Sequence, residues 1–238
     1  DVKNTYGTGC FALTNTGTDI IKSDNGLLTT IAYQIEGEDP LYALEGSVPI
    51  AGAAVQWLRD NLNIIKSSDE IESLAMGEKD NGDVYFVPAF SGLFSPHWDE
   101  TARGALFGLT RFSNKSHIAR SVLESVAFQS FELLQSMEKD LDIEFQNLKV
   151  DGGMVSNNLL MQFQSDILNK TIISQEINEI TALGAGVASF IFAQNLKIEN
   201  VGDFISTSKT WNPNMSNESR ENLLASWFKA IEKSKHWL

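Results

Sequence analysis

The sequence predicts an α/β domain built as a mixed sheet flanked by helices. Three observations carry this expectation. Short apolar segments separated by turn signals fill the first third, a long segment with a wide apolar stripe lies in the middle, and strand-like and helix-like segments alternate after it.

Taken in order, strands are expected at 4–6, 10–14, 28–33 and 41–44, with "NTG" and "DNG" supplying turns between them. In "GSVPIAGAAVQWLRDNL" the period changes to that of a helix. Ser47 is the expected N-cap and Pro49 falls in the first turn, while Ile50, Ala54 and Leu58 share a face flanked by Ala51, Val55 and Leu62. "EIESLAM" reads as a shorter helix, and "DNGDVYFVPAF" as a turn, a strand and a proline stop. Residues 91–108 are rich in Gly, Pro and aromatics without a period, so an ordered loop is expected there. A long helix is predicted over 116–138, where Ile118, Val122 and Val126 join Leu123, Ala127, Phe131 and Leu134 in a stripe wide enough for a buried helix. Next come a strand and glycine turn in "LKVDGG", a helix in "SNNLLMQFQSDIL" capped by Ser156, and a short strand in "TIIS". "TALGAGVASFIFAQ" is expected to be a helix with Leu183, Val187 and Phe190 or Ile191 facing inward. A last amphipathic helix is predicted over 218–233. With no repeat, low-complexity tract or evident linker, one domain over residues 1–238 is the simplest organisation.

Composition narrows the partners. The chain has 238 residues, 42% of them hydrophobic, and a formal net charge of −13. Such a surface repels nucleic-acid backbones over long range, although backbone amides can still hold a small anionic nucleotide locally. Cys10 is the single cysteine, which fits a reducing, cytoplasmic setting, and no apolar run reaches membrane-spanning length. The chain begins at Asp1 with a strand-like segment almost at once, so it is expected to be a piece of a longer protein.

Several stretches can carry chemistry. In "YGTGCF", Gly7 and Gly9 permit positive φ and close approach of a bulky ligand, the turn's amides can form an anion nest, and Thr8 adds a hydroxyl at the tip. Alone, the octapeptide "KNTYGTGC" that contains this turn reads more readily as a plain hairpin. In "VDGGMVSNN" a strand ends in two glycines and a helix starts, where free amides favour an anion or a polar ring edge. It is neither a dinucleotide fingerprint nor a P-loop, and a well-capped strand–helix joint accounts for it equally. Gly52 and Gln56 sit one helical turn apart and leave a gap with an amide above it, room for a flat ligand or simply a packing glycine with an exposed glutamine. The small residues of "TALGAGVAS" are best explained by close approach of another backbone, since each helical glycine costs roughly 1 kcal/mol against alanine. His97, His117 and His236 lack metal-ligand spacing, so no metal site is assigned, and Cys10 reads as a buried structural residue.

The order of these stretches is far more specific than any one of them. "NTYGTGCF", "NGLLTTIA", "YALEGSVPIAGAAVQWLRD", "PAFSGL", "ARGALFGLTR" and "VDGGMVSNNLLMQFQSDIL…TALGAG" closely resemble the C-terminal half of the glycerol kinases, within the carbohydrate kinase family named for its FGGY motif. "GALFGLTRFSNKSHIARSVLE" is also similar to that family's second signature, through Gly104, Gly108, Leu109, His117, Ile118, Ser121 and Glu124. The resemblance runs from Lys3 to about Ala193 and more loosely to the end. It departs at Phe94 and His97, where many relatives carry a small residue and a tyrosine.

The resemblance implies an actin-like, ribonuclease H-like ATPase fold, of which this chain is the second, nucleotide-binding domain and from which the N-terminal kinase domain is absent. It implies ATP or ADP as nucleotide, with Mg2+ held mainly through the phosphates, and glycerol as phosphoryl acceptor. Carried over, Thr8 reaches the terminal phosphates, Gly52 and Gln56 line the adenosine side, Gly153 and Asn157 hold adenosine and nearby phosphates, and Phe11 packs on the carbon skeleton of glycerol. The family's general-base aspartate is expected upstream of Asp1, so the isolated chain is expected to be inactive. A homo-oligomer is implied for the full-length enzyme. Two alternatives stay open: the C-terminal domain of another FGGY sugar kinase, or a non-catalytic nucleotide-binding module.

Overall fold

A computed structural model describes residues 1–177, 179–194 and 206–238. The chain opens with an antiparallel hairpin, β1 (Val2–Tyr6) and β2 (Cys10–Gly17), followed by β3 (Leu28–Tyr33) and β4 (Leu41–Val48). Helices α1 (Gly52–Asp60) and α2 (Glu70–Ala75) come next, then the small ribbon of β5 (Tyr85–Val87) and β6 (Ala105–Phe107). The long helix α3 (Lys115–Leu141) leads into β7 (Asn147–Asp151), a 3-10 turn at Gly153–Ser156, α4 (Asn158–Leu168), β8 (Thr171–Gln175), α5 (Ile180–Gln194), β9 (Thr207–Trp211) and α6 (Asn217–Ser234).

Seven strands form one sheet in the order β3-β4-β2-β1-β7-β8-β9. The β1–β7 and β7–β8 pairs are parallel, and the others antiparallel. This is the mixed sheet flanked by helices expected of an actin-like, ribonuclease H-like domain. β1 pairs with both β2 and β7, so the β1–β2 turn and the turn after β7 lie at neighbouring strand ends. That adjacency places the site.

One sheet face is dry. Val2, Asn4 and Tyr6 of β1, Cys10, Ala12 and Thr14 of β2, and Leu148 and Val150 of β7 are buried, as period-two alternation requires. α3 supplies most of what covers them: Val122, Leu123, Val126, Ala127, Leu133, Leu134 and Met137 are all essentially inaccessible. Its start is a capping box, with the Asn114 side chain accepting from Ser116 N and His117 N and the His117 ring accepting from Asn114 N. A stacked ring pair, Phe128 and Trp227 at 5.0 Å, ties α3 to α6. Cys10 lies in this core. Burial pushes its thiol up, away from the thiolate that a nucleophile needs.

Several local expectations need correction. Ser47 does not cap α1: it lies in β4, opposite Phe11, because that strand continues to Val48. The first amides of α1 are taken instead by carbonyls of the β1–β2 turn. Leu62 is exposed rather than part of the buried face. Ser156 is not the cap of α4, because Asn157 fills that position and accepts from Leu160 N at 2.9 Å. Within the expected loop at 91–108 lies strand β6, and β9 is a further strand that lacks an apolar pattern. In α5 only Val187 is buried, and Gly184 and Gly186 have nothing within 4 Å of an added Cβ, so among the described residues no other backbone packs against those glycines. Among the described residues, no helix is long and apolar enough to cross a membrane.

Candidate functional site

A cleft of about 350 Å³ opens where the β1–β2 turn, α1, α2 and the 3-10 turn meet. That volume lies within the usual range for small-molecule sites. Its wall includes Gly7, Thr8, Gly52, Gln56, Gly153 and Asn157, so five residues selected from three separate sequence stretches (Thr8, Gly52, Gln56, Gly153 and Asn157) converge on one space. Phe11 does not join them. It is 47% exposed on the sheet face opposite to Cys10 and Ala12.

The β1–β2 turn is fixed from both sides. Gly7 N donates to Gly9 O at 2.9 Å and closes the loop. The carbonyl of Gly7 accepts from Gly52 N, and that of Thr8 accepts from Ala51 N and Ala53 N. The turn therefore caps α1, while the Thr8 side chain stays exposed at the tip. Neither Gly7 nor Gly9 has positive φ, contrary to what their type suggests. Their use is closeness. A Cβ on Gly9 would stand 2.5 Å from the Val48 carbonyl, and one on Gly52 would stand 2.6 Å from the Gly7 carbonyl.

On the other wall, Gly152 carries the unusual backbone, with φ of +96° and the Tyr6 carbonyl only 2.4 Å from a hypothetical Cβ. Gly153 beside it faces open space. The amides expected to be free at the start of α4 are partly consumed: Leu160 N donates to Asn157 Oδ1, and Leu159 N donates to Glu72 Oε1 at 2.9 Å. Asn157 uses its oxygen as a cap, which leaves its Nδ2 group for the cleft.

The floor of the cleft is apolar, formed by Val55, Ile71, Leu123 and Met154. Val55, Ile71 and Leu123 are buried, so they give a flat object a dry surface. Ser68, Asp69 and Glu72 complete the wall on the α2 side. The sequence carried no signal for them, since the contact between Glu72 and Leu159 joins positions 87 apart. The three histidines are scattered: His97 pairs with Glu132 at 2.7 Å, His117 lies 3.9 Å from Glu78, and His236 lies 3.7 Å from Asp99. Among the described residues, no group of His, Cys, Asp and Glu is arranged to hold a metal ion. A closed glycine turn, a dry slot and polar groups at its rim give a cleft of a kind that can take a nucleotide.

Comparison with known proteins places the chain in a family. Residues 2–192 match the model of the FGGY family of carbohydrate kinases, C-terminal domain. The chain is 52% identical over 238 residues to the glycerol kinase of Methylobacterium radiotolerans, covering all of this chain and 48% of that protein. Among solved structures, Plasmodium falciparum glycerol kinase with ADP superposes with a TM-score of 0.88 at 37% identity, over 98% of this chain and 47% of that one. The ligand-bound xylulose kinase of Lactobacillus acidophilus has a TM-score of 0.80 at 20% identity over 98% of this chain and 46% of that one, a likeness of fold alone. The chain spans about half the length of the relatives it matches.

Proposed function

The chain belongs to the FGGY family of carbohydrate kinases as a C-terminal domain, and from that premise we propose that it is the nucleotide-binding half of a cytoplasmic enzyme transferring the terminal phosphoryl group of ATP to glycerol. The observation that carries this reading is the convergence of Thr8, Gly52, Gln56, Gly153 and Asn157 on one cleft beside a closed glycine turn. The names of the most similar relatives and the ADP in one solved neighbour support the choice of nucleotide and acceptor.

Phosphoryl transfer passes through a loose transition state and asks the protein mainly for positioning and charge neutralisation. Here Thr8, exposed at the tip of a turn held by the amides of Ala51, Gly52 and Ala53, would donate to the terminal phosphates. Gly52, whose lack of a side chain lets the β1–β2 turn close on α1, would line the adenosine side, and Gln56 and the Asn157 Nδ2 group would bind the nucleotide's polar edges. The accompanying Mg2+ would be held mainly through phosphate oxygens. Phe11, on the open sheet face, would meet the acceptor together with an upstream domain that also supplies the base. One domain spans residues 1–238 in this reading, and the full-length enzyme is a homo-oligomer.

A coupled ADP-release assay tests the proposal. The isolated 238-residue chain should show no glycerol-dependent turnover, and the full-length polypeptide should phosphorylate glycerol in preference to pentuloses. Robust turnover by the chain alone, or preference for a pentulose, would overturn it.

A further inference from the structure

We propose that Glu72 selects the base of the nucleotide, accepting a hydrogen bond from the exocyclic amine of a 6-amino purine and rejecting 6-oxo purines. The inference rests on the nucleotide reading above and deepens it.

Four observations lead to it. Glu72 lines the cleft but belongs to none of the three stretches that the sequence singles out. One of its oxygens is occupied, since Oε1 accepts from Leu159 N at 2.9 Å. That bond anchors the carboxylate between α2 and the first turn of α4 and fixes its direction. Oε2 has no hydrogen-bond or ion-pair partner among the described residues, so it remains an acceptor for a ligand. Last, the cleft has a clear polarity. The phosphate turn sits at the start of α1, through the bond from Gly52 N to Gly7 O, and Gln56 lies one helical turn further along. The apolar floor of Val55, Ile71 and Leu123 then runs toward α2. A carboxylate placed near phosphates would repel them, whereas at the α2 end it meets the base, the part farthest from them.

The chemistry gives a discriminating pair. A carboxylate only accepts, so an oxygen set against the C6 substituent complements the 6-amino group and opposes the 6-carbonyl of hypoxanthine or guanine, whereas one set against N1, which carries a proton in the 6-oxo bases, would favour IDP over ADP and overturn the proposal. In Glu72→Gln the side-chain oxygen can still accept from Leu159 N, while the new amide group presents a donor to the cleft. Selectivity should therefore move toward 6-oxo bases with the local fold kept.

The test is calorimetric titration of ADP, IDP and 2′-deoxy-ADP into the full-length polypeptide, wild type and Glu72→Gln, with unfolding midpoints confirming that the variant is folded. Wild type should favour ADP over IDP, and Glu72→Gln should shrink the Kd ratio by about ten-fold or more, the size expected for one hydrogen bond to a charged group. An unchanged ratio in a variant that still binds ADP would overturn this proposal alone. An effect of Glu72→Gln that disappears with 2′-deoxy-ADP would overturn it too, placing the carboxylate on the ribose. If wild type binds none of the three, both this proposal and the nucleotide reading fall.

Discussion

Two glycine pairs edge the cleft, and they are built alike from different parts. In each pair one glycine is sterically required and the other is free. Gly9 and Gly152 have backbone carbonyls 2.5 Å and 2.4 Å from a hypothetical Cβ, whereas Gly7 meets only the Gly9 carbonyl at 3.7 Å and Gly153 meets nothing within 4 Å. The required glycines let β1, β4 and β7 end close together. The free ones line the cleft. The pairs differ in means: Gly152 has a backbone that only glycine adopts readily, while Gly9 has an ordinary φ and is needed purely for space. A glycine beside a ligand-sized cleft can thus be holding the fold rather than lining the cleft.

Substitutions can break this comparison, and the largest effect belongs to Gly152. Gly152→Ala combines a disfavoured φ with a backbone clash and should cost at least about 3 kcal/mol of stability, read from the denaturant midpoint. Gly9→Ala, with the clash but not the strain, should cost about 2 kcal/mol in the same measurement. Gly153→Ala should change stability by no more than about 0.5 kcal/mol. It adds a methyl group to the cleft and should weaken ADP binding about ten-fold by calorimetry. Equal stability losses at Gly152 and Gly153 would show that the division into required and free glycines is wrong.

A smaller effect concerns a buried carboxylate outside the cleft. Glu124 accepts from Arg120 Nε and Asn81 Nδ2, yet burial pushes its pKa up to about 7. The folded state therefore holds this proton more tightly than the unfolded state. Between about pH 4.5 and 7, Glu124 lowers stability as pH rises, because the native protein must ionise a buried group. Thermal unfolding across that window should show a shallower loss for Glu124→Gln than for wild type. A steeper loss would contradict the sign.

Periodicity made the elements legible where one face is buried. α3 follows the expected bounds closely because its apolar residues recur with a clear period; the strand Leu28–Tyr33, which buries no residue, matches its expected bounds because turn signals mark where it begins. β9, "TSKTW", stayed hidden because only Trp211 of its five residues is buried, so no alternation marks it. The caps were misread for a related reason. Ser47 and Ser156 are good cap residues by type, but β4 pairing claims the first, and Asn157 with the turn carbonyls does the capping. In the site, motif order brought out Thr8, Gly52, Gln56, Gly153 and Asn157. Glu72 could not emerge that way, since its position depends on a contact between α2 and α4 that no local pattern encodes. Nor does type reveal which glycine of each pair is required; that depends on carbonyls from other strands.

The most direct test of the account is amide hydrogen exchange of the full-length polypeptide with and without ADP. Protection should appear in peptides covering the β1–β2 turn, the first two turns of α1, α2, and the segment from Gly153 to Leu159. Protection that leaves these four segments unchanged and appears instead beyond them, for instance along the Lys229 and Lys233 face of α6, would contradict the central claim that this cleft is the nucleotide site.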